Sequence, residues 1–194
     1  MPILPAEPDL HPPELWQEGD VTSGGSRHWW CLHTLPRQEK AAARYLRTQG
    51  IAYYLPQIVL EKRTPQGRKI RTVAPLFTSY LFLLGGDGDR VTALKSNRLV
   101  KVLEVADQAR LTNDLRQVHQ VLSSGLTVLP EPTMPVGARV RITSGPLLGI
   151  EGTVIRRGKR DQFVAVVNFL GRGATVDLED WQAEQIDGRD EVTH

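Results

Sequence analysis

Residues 29–50 show two patterns of hydrophobic and polar positions. An aromatic and aliphatic run at 29–33 predicts a strand, and residues 37–49 follow a helical period that Gly50 ends as a C-terminal cap. At 100° per residue, Ala42 and Leu46 share one side of this helix. The opposite side carries the cations Arg37, Lys40, Arg44 and Arg47. One face of the helix therefore packs, and the other is a row of positive charge.

Short strands alternate with two more helices up to residue 124. In chain order the pattern predicts a strand at 52–55, a hairpin of 58–61 with 70–73, a strand at 76–84, a helix at 89–96 capped by Asp89, a strand at 99–105 and a helix that buries Leu111, Leu115, Val118 and Leu122. This mixture predicts an α+β domain with a largely antiparallel sheet and flanking helices.

Residues 136–186 have no long helical pattern. Ala138, Val140 and Ile142 alternate with polar residues, and four more short apolar runs follow, the last ending at Ile186. Five short strands in about fifty residues bury their apolar faces by curling into a small all-β barrel. Because Val, Ile, Thr and Phe dominate these runs, we predict that this domain remains a barrel and does not refold into helices.

Proline positions suggest where the chain divides. The chain has 194 residues and 13 prolines, and the prolines cluster at 1–27 and at 125–135. The predicted organisation is a disordered acidic extension at 1–27, a domain at 28–124, a linker at 125–135, a second domain at 136–186 and a tail at 187–194. Leu15 and Trp16 interrupt the extension, as a possible docking point or an incidental apolar pair.

Charge is unevenly distributed. The net charge of +2 combines an acidic start with a basic middle, because residues 29–124 carry 15 Lys and Arg against 7 Asp and Glu. A basic block favours a polyanionic partner, although surface cations also keep a domain in solution. Five of these cations surround the turn of the predicted hairpin, namely Lys62, Arg63, Arg68, Lys69 and Arg71.

No pattern indicates catalysis, a metal or a cofactor. The five histidines have no metal-ligand spacing, and the glycines and acids at 85–89 fit neither a phosphate-binding loop nor a calcium loop. The single cysteine, Cys31, excludes an internal disulfide and lies in an apolar strand. No apolar run approaches the ~20 residues of a membrane span, and no signal peptide is evident. These observations predict a cytoplasmic, monomeric, non-enzymatic protein without membrane contact.

Three motifs in the expected order carry a family resemblance. They are WWCLHTLPRQEK at 29–40, PLFTSYLF at 75–82, and Val136-Gly137 followed by GPLLGIEGTV at 145–154. With these motifs the chain resembles the NusG family of transcription elongation factors, which have a NusG N-terminal domain and a small all-β KOW (SH3-like) domain. The sequences around Leu60-Glu61-Lys62 and at 75–82 are similar to the specialised RfaH-like and UpxY-like antiterminators.

The resemblance implies two contacts with RNA polymerase. In the family, one face of the sheet binds the paired clamp helices of the largest subunit, which assigns His33, Phe77, Tyr80 and Phe82 to this contact. Tyr80 and Phe82 point to one side of their strand, so an open aromatic patch is expected there. Thr92 corresponds to the contact with the gate loop of the second-largest subunit.

The resemblance also implies contacts with DNA and with a further partner. Family members touch the non-template strand at the upstream edge of the transcription bubble, and the matching cations are Arg37, Lys40, Arg44, Arg47 and Arg98. RfaH-like proteins that read a DNA hairpin have basic residues where this chain has Leu35 and Pro36. In the KOW domain, Phe169, Leu170 and Arg172 match the loop that meets termination factor Rho or a small-subunit ribosomal protein.

Two functions remain open from the sequence. The first is an elongation or antitermination factor that binds polymerase and reduces pausing or termination. The alternative is a KOW-type RNA-binding or ribosome-associated protein, in which the aromatic residues of the first domain form its core and the cations bind RNA.

Overall fold

The computed structural model describes residues 7–16, 27–63, 65–131, 137–157, 160–177 and 183–186. The chain divides into two compact units, Met1–Thr112 and Asn113–His194. The division falls inside a helix that the sequence pattern assigns wholly to the first domain. Among the described residues, no helix is long and apolar enough to cross a membrane.

The described residues of the first unit form seven strands and two complete helices. In chain order they are β1 (Leu10–His11), β2 (His28–Thr34), α1 (Glu39–Thr48), β3 (Ala52–Tyr54), β4 (Gln57–Arg63), β5 (Lys69–Pro75), β6 (Tyr80–Gly85), α2 (Asp87–Leu94) and β7 (Leu99–Glu104). Five strands form an antiparallel sheet in the order β1-β3-β6-β2-β7, and β4 with β5 forms a separate hairpin. The α+β prediction with an antiparallel sheet is confirmed.

One face of this sheet is covered by helices. Leu81 and Leu83 of β6 are fully buried in a cluster with Leu46 of α1 and Ala93 of α2. Gly50 ends α1 with a φ of 68°, in the left-handed region that glycine adopts without strain. The apolar side predicted for α1 therefore packs on the sheet.

The opposite face carries Tyr80 and Phe82 of β6. Cys31 of β2 pairs with Phe82 of β6, and His33 pairs with Tyr80, so these side chains share one side of the sheet. Strand β6 begins at Tyr80 and not at residue 76 as predicted, because residues 76–79 form a turn in which Ser79 has a φ of 66°. Phe77 therefore lies in this turn.

Residues 7–16, which we call the N-terminal arm, are part of the first unit. Leu10 and His11 form β1 and pair with Tyr54 and Tyr53 at the edge of the sheet. The Leu55 amide donates a hydrogen bond to the Asp9 carbonyl. For these residues the predicted disordered extension is wrong, whereas 1–6 and 17–26 lie outside the described residues.

The second unit is built on an antiparallel sheet of six strands. Helix α3 (Gln108–Ser123) runs from the first unit into it, and then follow β8 (Leu129–Glu131), β9 (Ala138–Ile142), β10 (Glu151–Arg157), β11 (Arg160–Val167), a 3-10 turn at Asn168–Leu170, β12 (Arg172–Asp177) and β13 (Ala183–Gln185). Their order is β13-β9-β10-β11-β12-β8. The apolar run at 163–170 predicts a strand, and its first five residues, Phe163 to Val167, lie in strand β11.

The sequence pattern missed the strand that the linker contributes. Leu129, Pro130 and Glu131 pair with Thr175, Ala174 and Gly173 of β12, so three residues of the predicted linker belong to the second sheet. Pro130 is accommodated because β8 is the last strand of the sheet.

Two predicted details in the apolar segments also change. The apolar run predicts that the strand continues to residue 170, but Phe169 and Leu170 lie in the 3-10 turn. Asp89 lies inside α2, where its carboxylate accepts a hydrogen bond from the Gly86 amide at 2.9 Å, so it caps the helix from the third position.

Candidate functional site

The end of the aromatic face carries a stacked pair of rings. The ring centroids of His33 and Tyr80 are 5.1 Å apart, with 17° between the ring planes. Both side chains are partly exposed. A stacked and partly exposed aromatic pair can bind the apolar surface of a partner protein.

Phe77 and Phe82 lie beneath the surface. Phe82 is 0% exposed and Phe77 is 2% exposed, and their rings meet edge to face with centroids 6.2 Å apart. The expectation that these two rings lie on an open patch is wrong. The turn at 76–79 folds Phe77 back against β6, which a continuous strand from residue 76 would not allow.

The N-terminal arm covers the other end of the aromatic face. Trp16 stacks on Trp29 with centroids 5.7 Å apart, and it meets Tyr54 edge to face at 5.4 Å. Leu15, next to it, is 2% exposed. The aromatic face therefore has one end covered by the chain itself and one end, at His33 and Tyr80, accessible.

The arm also reaches the cations of α1. The Glu7 carboxylate is 2.8 Å from Arg47 Nε and 3.0 Å from Arg44 Nε. The Tyr53 hydroxyl has two acceptors within reach, this carboxylate at 3.3 Å and the Pro8 carbonyl at 3.1 Å. The hydrogen bond from Arg47 to Glu7 raises the pKa of Arg47 above the ordinary value. Lys40 Nζ donates to the Val73 carbonyl at 2.6 Å.

The remaining predicted DNA contacts lie before the first turn of α1. Arg98 donates from its guanidinium to the side-chain oxygen of Gln38, the residue that precedes α1. Arg37 is its neighbour in sequence and is exposed, with a φ of 62°. The five cations predicted for DNA are thus all on α1 or at its N-terminal end.

Thr92 and the hairpin cations are separate from these cations in the chain. Thr92, on α2, is partly exposed, and its hydroxyl donates to the Gly88 carbonyl at 3.0 Å. In the hairpin of β4 and β5, Arg71 pairs with Glu61 at 2.8 Å across the two strands. This pair offsets one of the cations expected around the turn.

In the second unit, helix α3 holds the turn that carries Phe169. Phe169 is 40% exposed, while Leu170 and Arg172 are partly exposed. The buried Asp114 carboxylate accepts hydrogen bonds from the Asn168 amide at 2.8 Å and from the Asn168 side chain at 3.1 Å. Phe169 is therefore a surface residue on an anchored turn, not a core residue.

Burial shifts the pKa values of Cys31 and His119. Burial raises the pKa of the Cys31 thiol to about 12, so the thiol stays protonated and unreactive. Burial also lowers the pKa of His119. Within the described ranges, no group of His, Cys, Asp and Glu could hold a metal ion.

Sequence reasoning missed Glu7 and Gln57, which hold the start of the arm. Gln57 donates from its side-chain amide to the Glu7 carbonyl at 2.8 Å and to the Asp9 carboxylate at 2.7 Å. The only signal in the sequence that this segment might pack on the domain was the apolar pair Leu15 and Trp16. An acidic residue among prolines cannot be distinguished from an ordinary solvated charge.

Comparison with known proteins identifies the family. Residues 27–130 match the family model described as NusG, transcription termination factor nusG. A solved structure that describes domain interaction in NusG from Thermotoga maritima covers 83% of this chain and 98% of its own chain, with 17% sequence identity and a TM-score of 0.45. No curated protein matches the chain. Because the family model covers more than half of the 194 residues, the protein belongs to the NusG family of transcription factors.

Proposed function

We propose that this protein is an elongation and antitermination factor that binds the clamp helices of the largest subunit of RNA polymerase and reduces pausing or termination. The observation that carries this proposal is the family match over residues 27–130, because NusG proteins generally bind RNA polymerase. Such a factor acts by binding the elongating conformation more tightly than the paused one, which shifts the population between them.

The stacked His33 and Tyr80 rings are our candidate for the clamp contact. They are the partly exposed members of the predicted aromatic set, whereas Phe77 and Phe82 are buried. A rigid aromatic pair loses little side-chain entropy on binding, which suits a small contact surface.

The cations of α1 are our candidate for the non-template DNA strand. Arg37, Lys40, Arg44, Arg47 and Arg98 lie on or just before one short helix. Rigidly placed cations attract phosphates without reading sequence, which fits a protein that travels along DNA.

The other contacts follow from the same assignment. Thr92 on α2 is the candidate contact for the gate loop of the second-largest subunit. We assign residues 136–186 as a KOW domain whose exposed Phe169, with Leu170 and Arg172, binds Rho or a small-subunit ribosomal protein. Within the family, the sequences at 60–62 and 75–82 favour an RfaH-like or UpxY-like antiterminator.

Binding to a purified clamp coiled-coil fragment tests the polymerase contact. We expect His33→Ala with Tyr80→Ala to weaken binding at least about ten-fold, because both exposed rings are lost. The matched control is Tyr45→Ala, which removes a partly exposed tyrosine from α1, on the other side of the sheet. Unchanged binding of the double variant would refute the clamp contact.

The buried Phe77 and Phe82 favour, as a second candidate, a KOW-type RNA-binding or ribosome-associated protein. On this alternative the aromatic residues are core and the α1 cations bind RNA. The same experiment separates the two, since only the first requires the intact protein to bind the clamp fragment.

A further inference from the structure

The N-terminal arm places a carboxylate among the cations of the proposed DNA surface. Only 1% of the Glu7 side chain is exposed, although its partners Arg44 and Arg47 remain 30% and 43% exposed. Together with the Tyr53 hydroxyl, these two guanidinium groups form what we call the anion site.

The donors of the anion site suit a phosphate as well as a carboxylate. Guanidinium groups form charge-assisted hydrogen bonds with either anion, and the planar group is the common phosphate ligand in nucleic-acid complexes. A nucleic acid lying along α1 would bring its phosphates to the same nitrogen atoms that now bind Glu7.

We propose that Glu7 occupies a phosphate-binding position and that single-stranded nucleic acid must displace it, so that the N-terminal arm is an internal competitor for the α1 surface. This inference rests on the proposed DNA contact. It assigns to Glu7 a role that lowers affinity for nucleic acid in the free protein.

The two ends of the arm are held differently, which allows one end to be released alone. The end at Glu7 is held by polar contacts with Arg44, Arg47, Tyr53 and Gln57, all of which a phosphate or water can replace. The other end is held by β1, by buried Leu15 and by Trp16 stacked on Trp29. Displacement of Glu7 therefore leaves the arm attached.

The test measures binding of the full chain to a fluorescein-labelled single-stranded oligonucleotide by anisotropy over a range of salt concentrations. We expect Glu7→Gln to bind about five-fold more tightly, because a neutral amide competes less well than a carboxylate with a phosphate for the two guanidinium groups. Each additional phosphate contact should steepen the slope of log affinity against log salt by about 0.7.

The matched control is Glu14→Gln, which makes the same charge change at an exposed position of the same arm. It is expected to bind as the unmodified protein does. If Glu14→Gln tightens binding as much as Glu7→Gln, the effect is one of net charge and the inference is overturned. Thermal melts verify that both variants are folded.

A third variant separates this inference from the proposed DNA contact. Changing Glu7, Arg44 and Arg47 together to Gln removes the buried carboxylate with its cations, so no uncompensated charge is left behind. We expect this variant to bind less tightly than Glu7→Gln alone.

If Glu7→Gln equals the unmodified protein while the triple variant is weaker, internal competition is refuted and the DNA contact stands. If the triple variant binds as Glu7→Gln does, Arg44 and Arg47 do not contact DNA, which overturns the inference and removes these two residues from the proposed DNA contact. Weaker binding by Glu7→Gln would mean that the arm supports the surface, which also overturns the inference.

Discussion

The burial of Phe82 decides how the aromatic face can be probed. The ring is fully enclosed and packs edge to face on Phe77. Truncation of a residue in this position leaves a cavity, so a loss of binding would follow from damage to the fold. His33 and Tyr80 can be changed with less damage because water already reaches their rings.

We therefore predict that Phe82→Ala lowers the free energy of unfolding by about 3 to 5 kcal/mol, the range for a large aromatic residue lost from a core. The matched control is Phe169→Ala, the same change at a 40% exposed side chain, which should cost about 1 kcal/mol or less. Urea unfolding of both variants measures the difference. Equal costs would show that Phe82 does not pack as described.

Glu7 shows why the structural role of a single residue can be missed in the sequence. Its role depends on Arg44, Arg47 and Tyr53, which are about 40 residues away in the chain. Nothing local to Glu7 distinguishes it from the exposed Glu14, since both are acids next to prolines. Long-range pairing of this kind has no periodic signal.

At the scale of elements, strands and helices with a regular hydrophobic pattern were predicted from the sequence. Strand β2 follows from a continuous apolar run and helix α1 from a 3.6-residue period, and Gly50 marks the end of α1. Strand β6 was predicted too long because the apolar run at 76–84 includes a buried turn. Hydrophobicity reports burial, and it does not by itself distinguish a strand from a turn that is equally enclosed.

Helix α3 and the 3-10 turn at Asn168–Leu170 form a second local system. We predict that Asp114→Ala loosens this turn, because the partly buried Asn168 amide loses its acceptor. An unsatisfied buried donor costs about 1 to 3 kcal/mol. Amide hydrogen exchange measured by NMR should then be faster at Asn168 and Phe169.

The control for this change is Asn113→Ala, at the exposed neighbouring position of α3. It keeps the helix and the Asp114 carboxylate, so exchange in the turn should not change. If Asp114→Ala also leaves exchange unchanged, the carboxylate does not hold the turn.

At the scale of the whole molecule, the division of the chain was predicted only approximately. The prolines at 130–135 suggested a linker, yet the compact units meet between Thr112 and Asn113. Residues after the predicted boundary, including β8, are recruited by hydrogen bonding to β12. Proline content indicates where the backbone is stiff, whereas the boundary between compact units depends on which segments pair as strands.

Stability of the second unit should depend on pH through His119. Burial lowers the pKa of this histidine below its ordinary value of 6.5, so the unfolded chain takes up a proton at a higher pH than the folded chain. The stability that His119 confers is full above pH 6.5 and falls as the pH drops toward its folded pKa.

We predict that the melting temperature of the second unit falls as the pH is lowered from about 7.5 to about 5.5. His119→Gln should reduce this fall, because glutamine does not titrate in this pH range. Thermal melts at the two pH values measure it. An equal fall in both proteins would assign the pH dependence to other groups.

The arm that lies against Trp29, Tyr54 and the edge of β3 has a practical consequence for anyone who shortens the chain. Removing residues 1–16 of the chain would expose the rings of Trp29 and Tyr54 and leave the edge of β3 unpaired. Such a truncated protein should aggregate at high concentration, and this aggregation would not describe the behaviour of the intact protein.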